Sequence, residues 1–147
     1  MGEQHWSWQY GKVAKAVDIL VTNHHDVRER VWVASEYLFM LHPDMVPPSC
    51  KDDVVWIQRM LTRYPASGYW KSAVEATYHR TRNVTAGKIA GRVLNLFHQF
   101  QTELEVRAER QKQRQTTAST RTRAKAARAG NAGRWAFDVL TEREGQL

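Results

Sequence analysis

The sequence predicts an all-α protein: a compact bundle of five to six helices with a basic C-terminal helical extension. Apolar residues recur at the three- and four-residue spacing of helix faces as far as Leu104, and beyond it helix-forming residues continue without that spacing. With 147 residues, 42% of them hydrophobic, the chain is long enough to bury one core. We therefore expect a helical bundle domain over residues 1–104, a basic arm over 105–131 and a short amphipathic C-terminal helix over 132–147.

The first two helices are predicted from their caps and their apolar faces. Ser7 is a candidate N-cap for the first helix, which Thr22 and Asn23 end. Its inward stripe is Tyr10, Val13, Val17 and Leu20. Asp26 caps the second helix, which covers residues 27–41 and is apolar on nearly every side, so we expect it to be the most buried. A strand is the alternative because valine and aromatic residues favour strands, but the length of the stretch favours a helix.

Proline and serine residues mark the next two helices. Pro43 ends the second helix, and a loop with three prolines follows over residues 42–49. Ser49 with Asp52 resembles a capping box and predicts the start of a third helix, which Pro65 closes. Ser67 is the candidate cap of a fourth helix. The core-facing residues of these two helices are Val54, Ile57, Met60 and Leu61, then Trp70, Ala73, Val74, Thr77 and Tyr78.

The fifth helix has the clearest apolar period in the chain. Asn83-Val84 predicts a short break before it, and Thr85 is its candidate cap. Gly87 and Gly91 lie in its first two turns, where glycine costs about 1 kcal/mol against alanine, so these positions are expected to allow a close backbone approach. The neighbour is either another helix or a phosphate strand. The apolar face consists of Ile89, Val93, Leu96, Phe97, Phe100 and Leu104.

Two breaks are predicted beyond this helix. Residues 116–122 are poor in helix formers and predict a hinge or a frayed stretch, and Gly130 and Gly133 flank a second break. The segment that follows carries two large aromatic residues, which indicate docking on the body or on a partner chain. Two tryptophans near the start precede the first clear apolar stripe and either seal the bundle or serve a partner. The candidate protein interface is therefore Trp6, Trp8, Trp135 and Phe137.

Charge predicts the class of partner. The formal net charge is +7, and residues 107–128 contain eight Lys or Arg, one acidic residue (Glu109) and nothing more apolar than alanine. Such an arm indicates contact with a polyanion, most often nucleic acid, through its backbone phosphates. A solvated basic tail without a specific ligand is the alternative. The candidate binding residues of the arm are Arg107, Arg110, Lys112, Arg114, Arg121, Arg123, Lys125 and Arg128.

A second candidate nucleic-acid footprint lies at the start of the fifth helix. Its cations are Arg80, Arg82, Lys88 and Arg92. Asn83-Val84-Thr85, followed by Ile89 and Val93, is similar to the Gly-Val-Ser turn and recognition helix of a helix-turn-helix. The resemblance covers about 20 residues, departs from the pattern in the residue type before the turn and in the spacing after it, and implies DNA binding. Two packed antiparallel helices joined by a capped turn would have the same sequence pattern.

The sequence contains no signature of catalysis or of a cofactor. It has no glycine-rich phosphate loop and no Gly-x-Ser-x-Gly motif, and Asp52-Asp53 resembles helix-start charge. His24-His25-Asp26 lacks a third ligand at a matched helical spacing, so no metal is expected. The single cysteine, Cys50, fits a reducing compartment, and no apolar stretch is long enough to span a bilayer. We expect a cytoplasmic protein that does not interact with a membrane.

These observations predict a small non-enzymatic nucleic-acid-associated protein, a subunit or accessory factor of a nucleoprotein assembly. The arm would contact DNA or RNA, and the helical body would pack in a larger protein complex or against a second copy of the chain. The alternative is a protein-binding adaptor or inhibitor, of the kind that phages and mobile elements encode, that docks on an acidic partner surface.

Overall fold

The all-α prediction is confirmed by a computed structural model, which describes residues 3–144 and, among them, the side chains of residues 5–131. No strand occurs in this part of the chain, and Ser67 and Trp70 form one isolated antiparallel bridge. Two short 3-10 turns, Pro43–Met45 and Pro48–Cys50, connect the second helix to the third. The helices are α1 (Glu3–Thr22), α2 (Val27–Leu38), α3 (Lys51–Leu61), α4 (Ala73–Arg80) and α5 (Asn83–Glu144).

The chain falls into two compact units, Met1–Leu104 and Glu105–Leu147. We call the first the body and the second the arm. The core of the body is built by α1, α2, α3, the turns between α2 and α3, and the first part of α5. Tyr10 of α1 packs against two rings of α5, Phe97 at 5.5 Å and Phe100 at 5.6 Å between centroids. The largest completely buried side chains are Phe100, Leu38, Ile57, Ile89 and Leu96.

Long polar side chains satisfy the backbone at the ends of α1 and α2. Arg30 Nη1 donates to the carbonyl of Leu20 at 2.7 Å. Gln58 Nε2 donates to the carbonyls of Leu38 and Leu41 at 3.1 and 2.7 Å. Because the last carbonyls of a helix have no partner within it, these contacts fix where the two helices end against their neighbours.

The second helix is shorter than the sequence predicts and buries one face. Its cap is confirmed, since Asp26 Oδ1 accepts from the backbone N–H of Glu29 at 3.0 Å. The helix ends at Leu38, three residues early, because the chain tightens into i to i−3 hydrogen bonds as it approaches Pro43. Val31, Ala34, Ser35 and Leu38 are buried and Trp32 is 42% exposed, so α2 buries one face although its sequence is apolar on nearly every side.

Three other predicted caps are wrong. α1 begins at Glu3, before Ser7. Ser49 lies in a 3-10 turn and donates its hydroxyl to Glu103 Oε1 at 2.9 Å, so it does not cap α3. Ser67 belongs to the tight turn before α4, and Ser72 caps that helix by accepting from the N–H of Glu75 at 3.2 Å. At Ser49 a tertiary contact, and at Ser67 a local turn, overrides a pattern that is only locally favourable.

Helix α5 is continuous over 62 residues, so the predicted breaks are wrong. It begins at Asn83, and the Asn83-Val84 break and the Thr85 cap are absent. The predicted hinge at 116–122 is helical. Threonine hydroxyls in this stretch donate to carbonyls four residues earlier, at 2.9–3.0 Å, so they are satisfied within the helix. The same helix continues through Gly130 and Gly133 to Glu144, so residues 132–144 do not start a separate helix.

Gly87 and Gly91 give a first testable prediction. A Cβ added at either position meets nothing within 4 Å, so the described residues of the chain make no close approach there. Gly87→Ala and Gly91→Ala are each expected to raise the free energy of unfolding by about 0.5–1 kcal/mol, because alanine loses less backbone freedom in a helix. Urea unfolding followed by circular dichroism measures the change. Destabilisation by either substitution would contradict the open environment of these glycines.

Cys50 gives a second prediction, about chemical reactivity. Burial raises the pKa of its thiol to about 11, with smaller contributions from the carboxylates of Glu103 and Asp53. Since the thiolate is the nucleophile, alkylation by iodoacetamide at pH 8 is expected to be slower than for an exposed cysteine by about a hundredfold, and to accelerate in urea. The same pKa shift links the free energy of unfolding to pH. Because the folded state favours the neutral thiol, the contribution of Cys50 to stability is complete below pH 9 and is lost as the pH rises towards 11. Rapid labelling of the folded protein would contradict this environment.

Candidate nucleic-acid interface

The eight cations of residues 107–128 are unevenly distributed around α5. At about 100° per residue, six of them fall within a sector of about 60°. The other two, Lys112 and Arg123, point to the opposite side. We call the set of six the cationic stripe: Arg107, Arg110, Arg114, Arg121, Lys125 and Arg128. The arm therefore has one strongly cationic face instead of a uniform coat of charge.

Four arginines of the stripe follow a strict seven-residue repeat, Arg107, Arg114, Arg121 and Arg128. In the sequence register of α5, this repeat continues positions that are buried in the body: Ala86, Val93 and Phe100. Successive arginines of the repeat are about 10.5 Å apart along the axis, and the first and last are about 32 Å apart. That length is close to one turn of B-DNA, about 34–36 Å.

Few charges of the chain itself neutralise this face. Among the described residues, Arg110, Arg114, Arg121, Lys125 and Arg128 form no ion pair, and their side chains are exposed. Arg107 is half-buried and has an interaction of its own. Glu109, the one acidic residue of the stretch, lies 4.0 Å from Lys112 on another side of the helix. Most of the stripe is thus available to an external anion.

The surface between the stripe arginines is shallow and concave. Arg110, Arg114 and Arg121 form its walls, and the short side chains of Thr117 and Ala118 form its floor. Like charges three and four residues apart on a helix repel each other. An extended anion lying along this floor would relieve that repulsion and accept hydrogen bonds from several guanidinium groups.

The second predicted footprint is only partly available. Arg80, Arg82 and Lys88 are exposed. Arg92 is held in the body, since its Nε lies 2.6 Å from Asp53 Oδ1, off the N–H direction, and its guanidinium lies 4.9 Å from the centre of the Trp56 ring. The residues that resemble a helix-turn-helix turn form the first turn of α5, and the connection to α4 consists of residues 81–82 alone. The predicted turn is therefore absent.

The aromatic residues of the predicted protein interface have different environments. Trp6 is half-buried and packs against the core. Trp8 is 51% exposed, with Lys12 Nζ 5.0 Å from its ring centre. The side chains of Trp135 and Phe137 lie outside the described residues. Trp8 is thus the member of the set that the body presents to solvent.

Sequence reasoning missed two features of the cationic surface. The seven-residue arginine repeat is visible in the sequence but is obscured by the overall charge density. Arg63, two residues after α3, is not among the predicted binding residues, although it lies beside the same Tyr64 ring as Arg80. No local signal links two residues 17 positions apart in the chain.

The described part of the chain holds neither a group of metal ligands nor a membrane-spanning helix. Among these residues, no three His, Cys, Asp or Glu side chains come together as a possible metal site, and His25 pairs with Glu29 at 3.2 Å. No helix there combines the length and apolar character that a membrane crossing needs. No protein-family model, curated protein or solved structure matches the chain.

Proposed function

We propose that this chain is a non-enzymatic nucleic-acid-associated protein whose cationic stripe binds the backbone phosphates of DNA or RNA. The observation that supports the proposal is the alignment of six cations on one side of a helix, five of them exposed and without an ion pair among the described residues. A solvated tail has no need of such alignment, whereas a row of phosphates along a nucleic-acid backbone can lie against one cationic face.

The residue types define the kind of binding. Five of the six stripe residues are arginine, whose planar guanidinium donates two parallel hydrogen bonds to a phosphate and stays charged at any physiological pH. Residues 107–128 contain no aromatic side chain that could stack on a base. Binding through this surface would therefore be strong at low salt and nearly independent of base sequence.

The body would supply protein contacts within a nucleoprotein assembly. Trp8 is the exposed aromatic residue of the predicted interface, and its lysine neighbour adds a positive charge beside the ring. Exposed tryptophan is typical of the centre of protein interfaces. This part of the proposal can be tested separately from the stripe, because Trp8→Ala would weaken the binding of a protein partner and leave phosphate binding unchanged.

The direct test is fluorescence anisotropy with the full chain. The probes are a 30-base-pair DNA duplex, an RNA duplex of the same sequence, the single strands and polyglutamate. We expect both duplexes to bind at 50 mM salt, with an affinity that falls by about 10³ or more at 200 mM if six phosphates are contacted. Equal or tighter binding of polyglutamate would instead support the adaptor alternative. The absence of binding at 50 mM would refute the proposal.

A further inference from the structure

A cavity in the body collects three arginines that lie far apart in the sequence. Arg63 follows α3, Arg80 ends α4, and Arg82 lies in the two-residue connection before α5. The cavity opens to solvent and has a volume of about 270 Å³. Its other polar lining comes from Thr81, Thr85 and Tyr64, and no carboxylate lines it. We call this group the arginine cluster.

Two guanidinium groups of the arginine cluster lie close to the ring of Tyr64. The guanidinium carbons of Arg63 and Arg80 lie 5.7 and 5.3 Å from the centre of the Tyr64 ring, within the range of cation–π attraction. The backbone N–H of Tyr64 donates to Thr77 Oγ1 at 3.0 Å, and Thr77 is buried. The hydroxyl of Thr77 in turn donates to the carbonyl of Ala73 at 2.7 Å. The ring therefore lies close to two cations, and its backbone is anchored to a buried residue of α4.

Nothing among the described residues neutralises this charge. Arg63, Arg80 and Arg82 form no ion pair there, and the hydroxyl of Thr85 has no hydrogen-bond partner. Three like charges facing one cavity raise the free energy of the folded body through mutual repulsion. An anion in the cavity would attract all three guanidinium groups and so offset their mutual repulsion. It would also accept hydrogen bonds from donors that have no partner in the described part of the fold.

We propose that the arginine cluster is a binding site for one phosphate group, separate from the cationic stripe. Guanidinium groups match the geometry and charge of phosphate oxygens, and the Thr85 hydroxyl supplies a neutral donor beside them. The group can belong to free phosphate or to the phosphorylated end of a nucleic-acid strand. The inference does not require the stripe to bind nucleic acid, since every residue involved lies in the body.

The test is thermal unfolding of the full chain in sodium phosphate against sodium chloride at equal ionic strength. For the unmodified protein, phosphate is expected to raise the melting temperature of the body by about 5–8 °C at ten times the dissociation constant. The double variant Arg63→Gln/Arg80→Gln is expected to lose this rise. Arg59→Gln removes an exposed arginine of α3 that does not line the cavity, and it is the matched control.

Nuclear magnetic resonance locates the site and identifies the source of the phosphate. Titration with inorganic phosphate is expected to shift the amide signals of Arg82 and Thr85 in the unmodified protein and in a protein whose six stripe cations are glutamine. Thymidine 5′-monophosphate that binds at least tenfold tighter than inorganic phosphate would assign the site to a strand end, and equal affinity would assign it to free phosphate; thymidine is the negative control. A phosphate effect that persists in Arg63→Gln/Arg80→Gln, or a phosphate titration that leaves both amides unshifted, would overturn the proposal.

Discussion

Replacing the six cations of the stripe by glutamine is expected to reduce the affinity for a DNA duplex by on the order of a thousandfold near 0.15 M salt. Each cation that contacts a phosphate contributes about one unit to the slope of log affinity against log salt, so the slope should become shallower by about five. The effect should be similar for unrelated sequences, because phosphates carry no base identity. Anisotropy at four salt concentrations measures both quantities. An unchanged slope would show that the stripe does not contact phosphates.

A variant of identical composition separates alignment from charge. Three stripe arginines can be moved to other sides of α5 by exchanging neighbours: Arg114→Gln with Gln113→Arg, Arg121→Thr with Thr122→Arg, and Arg128→Ala with Ala127→Arg. Net charge and arm length stay the same. We expect this variant to lose about half of the salt slope, because only three cations remain aligned. Binding equal to that of the unmodified protein would mean that charge density, and not the stripe, determines affinity.

Most helices could be predicted from the sequence, because burial of one helix face places apolar residues three and four positions apart. The apolar spacing of Ile89, Val93 and Leu96 in α5 follows from the side of the helix that packs on the body, and all three residues are buried. Exact helix ends depend on competing partners. Ser49 had the spacing of a cap, but Glu103 lies within 2.9 Å of its hydroxyl and takes that hydrogen bond. A carboxylate 54 residues away in the chain cannot be anticipated from local spacing.

The candidate sites differ in the same way. The stripe lies within one continuous helix, so the positions of Arg114 and Arg121 alone place them on one side once the helix is known to continue. The predicted hinge hid this relation, because the low helix propensity of residues 116–122 does not interrupt α5. The arginine cluster depends on how α3, α4 and the start of α5 pack. Arg63 and Arg80 become neighbours only through the position of Tyr64.

The second large effect is expected at Phe100, the last buried position of the seven-residue repeat before Arg107. Its side chain is completely buried and its ring centre lies 5.6 Å from that of Tyr10. Phe100→Ala is expected to lower the free energy of unfolding by about 3–5 kcal/mol, since it removes buried ring surface and leaves a cavity. This is a large part of the total stability of about 5–15 kcal/mol typical of a domain, so a clear shift of the urea midpoint should result.

Arg114→Gln, two repeats further along, is the matched comparison. Phe100→Ala should change the free energy of unfolding, and Arg114→Gln should change the salt dependence of DNA binding. Arg114 is exposed and has no ion pair among the described residues, so its loss should change stability by no more than about 0.5 kcal/mol while lowering the salt slope by about one. Phe100→Ala should bind duplex DNA normally at temperatures where the body is folded. Destabilisation by Arg114→Gln of more than about 1 kcal/mol would instead assign that arginine to the fold. In that case the seven-residue repeat would stabilise the fold along its whole length. The proposal requires instead that the repeat packs in the core as far as Phe100 and binds phosphate from Arg107 onwards.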